Sequence, residues 1–306
     1  MQRFILLRLG QSMITLLAVS ALVFALARLS GNPLNTMLPN EATDADYVRV
    51  AQLWGLDRPL HEQYFTFLTN ALRGEFGQSF RWREFSAMEL IADRFPATLQ
   101  LAGLALLFSV AIAIPIGVLS AVKRDTALDH VGKVVALLGQ SVPSFWLGIV
   151  LIWFFAVQLG ILPVAGRGSI ASVVLPVITL GWYQVAALMR LQRSAMLDVL
   201  DSEYVKFARI KGLKESAVIW KHAARNAAIT PLTYFAIIAG SLVTGSVVVE
   251  SVFSWPGVGL LVLDAVRGRD YQVVQAVVLV FAGVFLAINL LVDVLYAYLD
   301  PRIRYQ

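Results

Sequence analysis

The side chains that could do catalytic or metal chemistry are few and widely separated in this 306-residue sequence. Its three histidines, His61, His130 and His222, form no H-E-x-x-H or similar pattern, which argues against a metal site. There is no cysteine, and hence no disulfide, no thiolate nucleophile and no Cys-ligated metal. The Gly132-Lys133 pair lacks the upstream glycine and the following Ser or Thr of a phosphate-binding loop. We therefore predict no catalytic residue, no metal and no cofactor bound by this chain.

Two acidic residues fall inside or beside long apolar segments, where charge is costly and usually has a role. Asp293 lies within the last apolar segment, and we expect it to pair with a basic residue such as Arg190 or Arg225. A proton relay is the alternative, although no second acid on another segment accompanies Asp293. Glu250 lies at the end of an apolar segment and is expected to anchor a helix end or loop.

Uncharged polar residues in the apolar segments are candidates for lining a solute pathway. Small and hydroxylated residues also let helices approach closely, so simple packing remains an alternative for each of them. The candidates are Gln140, Ser141, Gln184, Thr244 and Ser246.

The elements that must position these residues are membrane-spanning helices. Hydrophobic residues make up 58% of the chain and charged residues only 15%, and several apolar runs reach the ~20 residues that cross a bilayer. The sequence predicts an all-α polytopic membrane protein with six transmembrane helices. They are Leu9–Leu29, Thr98–Val122, Val134–Leu159, Val173–Ala195, Ala227–Val249 and Gln272–Leu299.

Three regions follow from this pattern: residues 1–30 with the first span, an external subdomain at 31–97, and a five-helix core at 98–306 that contains an inner loop at 198–226. A cleaved signal peptide is the alternative for the first span, but its apolar run is longer than the ~7–15 residues of a typical signal core. Lys and Arg concentrate in the short loops on one side, which predicts that both termini are cytoplasmic.

The segment from Asp198 to Pro231 is basic, largely helical in pattern and set between two apolar segments. Gly212 indicates a break between an incoming helix and a short second helix at about Lys214 to His222. A short helix with an apolar side, lying across a loop, is the shape that docks into a groove of a partner protein.

Within this segment, the run A-R-I-K-G-L-K-E-S-A-V-I-W-K-H-A-A-R-N (208–226) resembles the EAA loop of ABC importer permeases of the dipeptide, oligopeptide, nickel and glutathione group. Lys206-Phe207-Ala208 replaces the usual E-A-A, as in the peptide-type subgroup. The stretches G-E-F-G-Q-S-F (74–80), S-V-P-S-F-W-L-G (141–148) and V-V-V-E-S-V-F-S-W-P-G-V-G (247–259) are similar to the same group. The likeness covers the chain from end to end and is closest to the first of the two permease subunits, which implies a type I importer fold.

The resemblance implies that the helix after Gly212 couples the permease to an ATPase subunit. Leu213, Val218 and Trp220 would fill the ATPase groove, and charged residues around them would orient the helix. The coupling residues implied are Glu203, Ala208, Arg209, Lys211, Gly212, Leu213, Lys214, Glu215, Val218, Trp220, Lys221 and His222.

The resemblance also implies a set of partners in a bacterial inner membrane. They are a second homologous permease subunit, two ATP-binding subunits that hold ATP and Mg, an extracytoplasmic solute-binding protein and the lipid bilayer, with no nucleic acid. The transported solute would be a short peptide or a related small molecule. Two alternatives remain open at this point: an ion-coupled secondary transporter that works alone, and a non-transporting membrane scaffold.

Overall fold

The computed structural model describes residues 2–29, 34, 38 and 41–299, and regular structure in these residues is helical. An isolated β-bridge joins Gln78 and Ser86. The end of the predicted core, residues 300–306, and parts of the predicted external subdomain, including Gly31, Asn32 and Pro33, lie outside the described residues. In chain order the helices are α1 (Gln2–Leu29), α2 (Asp44–Leu53), α3 (Leu60–Leu72), α4 (Ala87–Val122), α5 (Ala127–Ser141), α6 (Ser144–Gln158), α7 (Ile170–Leu200), α8 (Glu203–Ile210), α9 (Glu215–Ala227), α10 (Ile229–Gly245), α11 (Val247–Val252), α12 (Val258–Arg267) and α13 (Tyr271–Leu299).

Four helices are long and apolar enough to cross a membrane by themselves: α1, α4, α7 and α13. Two further pairs, α5 with α6 and α9 with α10, pass the same test together, but they are bent by 107° and 42°. The described residues therefore contain four candidate spans, or up to six if each bent pair crosses once.

The predicted third span, Val134–Leu159, is not one helix. Val142 is extended (φ −84°, ψ 121°) and Pro143 precedes the first residue of α6, so the chain turns between α5 and α6. The ring of a proline clashes with a helical residue before it, and its nitrogen donates no hydrogen bond, which together favour a break here. The predicted third span is therefore broken at Pro143 rather than continuous, and the bent pair α5 and α6 can still count as one crossing.

The second span also differs from its prediction, because α4 begins at Ala87 rather than at Thr98 and runs for 36 residues. Ser86 starts it by local hydrogen bonding: its amide donates to Glu89 Oε2 (2.7 Å), and its Oγ accepts from the Glu89 amide (3.2 Å). This reciprocal pairing satisfies backbone donors that a helix start leaves free.

Residues 2–97 and 256–299 belong to one compact unit, in which α1 packs along α13. Ser20 of α1 is buried and hydrogen-bonds the Tyr64 hydroxyl of α3 (2.8 Å). Asp270 is also buried, and it accepts hydrogen bonds from the Ser79 hydroxyl and the Arg81 amide. These bonds tie the segment after α3 to the start of α13.

Residues 98–255 form the second compact unit, in which α7 packs against α5, α6 and α10. Gly139 of α5 allows a close contact with α7, since a Cβ at that position would lie 2.6 Å from Ala186 Cβ. Small residues at helix interfaces permit such close approach in membrane proteins. The buried core around this contact includes Ala113, Val185 and Met189.

Candidate partner-docking site

The turn between α8 and α9 has a defined backbone structure that requires glycine. Gly212 has φ 75°, in the left-handed region that side chains disfavour. Its amide donates to the Arg209 carbonyl (2.9 Å), and the Leu213 amide donates to the Ala208 carbonyl (3.4 Å). This pair of bonds is the Schellman motif that ends a helix with glycine just beyond it. The sequence prediction of a helix break at Gly212 is confirmed.

An ion pair closes the same turn across its two helices. Arg209 Nη2 lies 2.9 Å from Glu215 Oε1, and Arg209 Nε lies 3.3 Å from Glu215 Oε2. The hydrogen bond to Glu215 raises the pKa of Arg209 above its ordinary value. Both side chains are about half exposed, so the pair orients the turn rather than adding much stability.

One side of α8 and α9 is buried within the chain itself. Val205 and Ala208 of α8 and Val218 of α9 pack in a core cluster with Val118 of α4 and Met196 of α7. Val218 is 0% exposed. The expectation that Val218 fills a partner's groove was therefore wrong, because its side chain is used to hold α9 against α4 and α7.

Apolar side chains on the other side are exposed. Leu213 and Trp220 are 42% and 47% exposed. Phe207 and Ile210, which were not among the predicted coupling residues, are 61% and 79% exposed. We call these four the apolar docking residues. Phe207 and Ile210 could have been found from their three-residue spacing, which places both on one face of α8. The buried residues Val205 and Ala208 lie on the other face.

Charged residues surround the apolar docking residues. The predicted coupling residues that the structure leaves exposed are Glu203, Arg209, Lys211, Lys214, Glu215 and Lys221, whereas His222 is half-buried and Ala208 is buried. Lys206 forms an ion pair with Glu203 (2.8 Å), and this hydrogen bond raises the pKa of Lys206. The exposed surface is thus apolar with a basic rim.

A cavity of about 380 Å³ lies at the bend between α5 and α6. Gln140 and Ser141 line it together with Thr179, Trp182 and Tyr183. The structure therefore brings two of the five pathway candidates together at one cavity.

The other three pathway candidates lie elsewhere. Gln184 accepts a hydrogen bond from the Tyr234 hydroxyl (3.3 Å), and Thr244 is half-buried. Ser246 is 0% exposed and donates a hydrogen bond to Glu250 Oε1 (2.7 Å), so its side chain lies in the packed interior.

The acids that the sequence analysis singled out have structural partners. Asp293 Oδ2 lies 3.2 Å from Arg8 Nε, so the expected pairing with Arg190 or Arg225 was wrong. Glu250 is buried near the end of α11 and accepts hydrogen bonds from Thr98 and Ser246, in keeping with an anchoring role.

A third acid, Asp129, was not recognised from the sequence. It is 0% exposed and accepts two hydrogen bonds from Arg193 (2.7 and 2.9 Å), with Lys133 at 2.9 Å and the Ser120 hydroxyl at 2.6 Å. These contacts join α4, α5 and α7. We call this the Asp129 network.

Over the part of the chain that the structure describes, no group of three or more His, Cys, Asp or Glu side chains could hold a metal ion. The fold and the site therefore define a multi-helix membrane protein whose distinctive feature is a helical turn with exposed apolar residues.

Two solved structures share this fold. An amino acid ABC transporter with histidines aligns with 69% of this chain and 94% of its own (TM-score 0.55, 16% identity). The MetNI methionine ABC transporter aligns with 70% of this chain and 97% of its own (TM-score 0.54, 20% identity).

Residues 113–305 match the family of binding-protein-dependent transport system inner membrane components, and residues 1–102 match the N-terminal region of such membrane components. The chain belongs to this family. It is 38% identical to the di/tripeptide transport system permease protein DppB of Pseudomonas aeruginosa, with all of both chains covered. It is 41% identical to the glutathione transport system permease protein GsiC of Escherichia coli K12, again over both whole chains.

The chain is thus an inner-membrane permease subunit of an ABC importer, and permeases of this family bind no cofactor themselves. ATP hydrolysis belongs to a separate subunit, and the family name implies ATPase and solute-binding-protein partners. This family membership decides against the secondary transporter and the scaffold.

Proposed function

We propose that this chain is one of two homologous permease subunits that together form the pore of an importer for short peptides or related small solutes such as glutathione. Its similarity to a di/tripeptide permease and to a glutathione permease supports this solute class. Two ATP-binding subunits would supply the energy, and a solute-binding protein would deliver the solute.

The observation that carries the coupling mechanism is the two-sided arrangement of α8 and α9. The apolar docking residues, Phe207, Ile210, Leu213 and Trp220, would enter the groove of an ATPase subunit, with the basic rim setting the orientation. On the other side, Val218 packs in one cluster with Val118 of α4 and Met196 of α7. A push on the docking residues would therefore reach two candidate membrane spans through packed side chains.

Because closely packed cores do not deform continuously, such a push would favour one of two arrangements of the helices over the other. The bend between α5 and α6 is a further place where the chain departs from straight spanning helices. Solute would contact Gln140 and Ser141 at the cavity beside this bend, with polar groups of a broken helix exposed at membrane depth.

We propose the following topology: six spans, both termini in the cytoplasm, an external subdomain at residues 31–97, and a core at 98–306 whose inner loop, 198–226, faces the ATPase. The natural chain has no cysteine, so single cysteines can report this topology without background. We expect Leu213→Cys to react with a membrane-impermeant maleimide from the cytoplasmic side, and Val164→Cys from the opposite side. Labelling of both from one side would contradict the topology.

Ile210→Asp and Leu213→Asp test the coupling role, because a carboxylate placed in an apolar groove is strongly unfavourable. In the importer reconstituted in liposomes, each variant should insert normally but lose at least about tenfold in ATP-driven uptake and in retained ATPase subunit. Val164→Asp is the matched control, since Val164 is 48% exposed and lies outside α8 and α9. Full uptake by both docking-residue variants would refute the proposal.

The solute class is tested separately in the same liposomes. We expect ATP-dependent uptake of labelled dialanine or labelled glutathione in the presence of the cognate binding protein. Uptake of neither, in a complex whose ATPase is active, would contradict the proposed solute class while leaving the coupling surface intact.

A further inference from the structure

A second cavity lies in the compact unit formed by residues 2–97 and 256–299. It has a volume of about 350 Å³ and lies between the end of α1, the segments around α2 and α3, and the start of α13. Phe24, Trp54 and Phe80 contribute aromatic rings to its wall, and Gln63, Gln272 and Gln275 contribute amides. Its volume lies within the ~300–1,000 Å³ that is usual for small-molecule sites, and its lining mixes aromatic with polar and charged side chains.

Two polar atoms of the lining are buried without a hydrogen-bond partner. They are Arg28 Nε and Gln63 Oε1. The amide of Gln63 is fixed in orientation, because its Nε2 donates to the carbonyls of Leu56 (3.1 Å) and Arg58 (2.7 Å). Its oxygen is therefore left as an acceptor. Buried polar atoms are nearly always paired, so two unpaired atoms around one cavity indicate that something else pairs with them.

The charges around the cavity indicate the chemistry of that partner. Arg28, Arg58 and Glu75 line it, and none of these three side chains takes part in an ion pair with the residues that the structure describes. The Arg28 guanidinium lies 5.2 Å from the centre of the Phe24 ring, a contact that favours the cation but satisfies none of its N–H donors. Two guanidiniums and one carboxylate suit a ligand that carries both a carboxylate and an amine.

We propose that this cavity binds a small zwitterion of amino-acid or dipeptide size. The carboxylate of the ligand accepts hydrogen bonds from Arg28 and Arg58, its ammonium group is balanced by Glu75, and Gln63 Oε1 accepts an N–H. This cavity shares no lining residue with the bend cavity of the proposed solute pathway or with the docking residues. It is an accessory binding site of the N-terminal region, and neither the coupling mechanism nor the pore is needed for it to bind.

The first test is equilibrium binding of radiolabelled dialanine to the purified full chain in lipid nanodiscs. We expect saturable binding that is weakened at least tenfold, about 1.4 kcal/mol, by Arg28→Gln. Arg73→Gln is the matched control, because Arg73 caps α3 in the same unit but does not line the cavity. Absence of saturable binding, or equal weakening by both substitutions, would overturn the proposal.

The second test uses the wild-type chain, so it remains decisive if Arg28→Gln fails to insert. Dialanine amide lacks the carboxylate, and we expect it to bind at least tenfold more weakly than dialanine. Trp54 lines the cavity, so Trp54→Phe should remove the fluorescence change that dialanine causes. Equal binding of the two peptides, or an unchanged fluorescence response in Trp54→Phe, would overturn the site.

The outcome is separable from that of the proposed function. A chain that fails to bind dialanine in nanodiscs, yet supports ATP-driven uptake in the complete importer, refutes the accessory site alone. A chain that binds dialanine through Arg28 but supports no uptake refutes the proposed solute class alone.

Discussion

Two ionic sites in residues 98–255 use the same chemistry with different burial. The Asp129 network is centred on a carboxylate with 0% exposure that Arg193 contacts through two hydrogen bonds. The Arg209–Glu215 pair is also held by two hydrogen bonds, but its side chains are 42% and 56% exposed. Removing one member of a buried ion pair strongly lowers the free energy of unfolding. Breaking an exposed pair changes that free energy little. The Asp129 network therefore fixes helices to each other, whereas the Arg209–Glu215 pair only shapes a turn.

The apolar residues near the two sites repeat this contrast. Val205 and Val218 are fully buried against α4 and α7, while Phe207 and Ile210 on the same pair of helices are exposed. One side of α8 and α9 is therefore internal structure, and the other is surface available to a partner.

The largest effect is expected for Asp129→Ala, which removes the buried carboxylate of the Asp129 network. Removing the carboxylate leaves Arg193 and Lys133 without their shared anion, and loss of one member of a buried pair costs about 3–5 kcal/mol. Thermal unfolding in detergent, followed by fluorescence-detected size exclusion, measures the change. Asp198→Ala on α7 is the control, since Asp198 is exposed; an equal effect of both substitutions would contradict the role of the network.

The next effect separates the two sides of α8 and α9. Val218→Ala removes buried carbon from the core cluster and should lower the free energy of unfolding by about 1.5 kcal/mol. Phe207→Ala should leave stability unchanged and instead reduce ATP-driven uptake. Unfolding and uptake measured on both variants check this, and a stable Val218→Ala together with a destabilised Phe207→Ala would reverse the assignment of the two sides.

A smaller effect is expected for Gly212→Ala. The left-handed conformation at φ 75° costs an alanine about 1 kcal/mol. The methyl group of the alanine would have no neighbouring atom within 4 Å, so the cost arises from the backbone alone. Asn tolerates this conformation better, so Gly212→Asn should be milder. The unfolding temperatures of the two variants provide the test, and an asparagine variant less stable than the alanine variant would contradict it.

The smallest effect is expected for Arg209→Gln, which removes the charge of the exposed Arg209–Glu215 pair. Surface ion pairs contribute below about 0.5 kcal/mol in helical settings and are screened by salt. Unfolding measured at low and high salt should show a small difference between wild type and variant that disappears at high salt. A loss as large as that of Asp129→Ala would show that the turn is structurally essential.

Local patterns predicted the features that depend on a few neighbouring residues. The apolar runs indicated the helices of the spans, and Gly212 between two polar helical stretches indicated the turn that the structure confirms with its Schellman bonds. Hydropathy predicted one continuous helix at Val134–Leu159, whereas the backbone preference of Val142 before proline favours the break that the structure shows. Hydropathy and the backbone preference before proline indicated different local structures at Pro143, and the sequence pattern alone did not show which of the two would prevail.

The sequence was sufficient to predict a multi-span helical permease and a basic helical turn at Gly212, because hydrophobicity, helix breaks and family motifs are properties of consecutive residues. The packed structure was needed to show which side of α8 and α9 faces inward, that Asp293 pairs with Arg8, and that Asp129 is the buried centre of an ionic network. Those outcomes depend on pairs of residues far apart in the chain, such as Val118 with Val218, and their contacts form only when the helices pack.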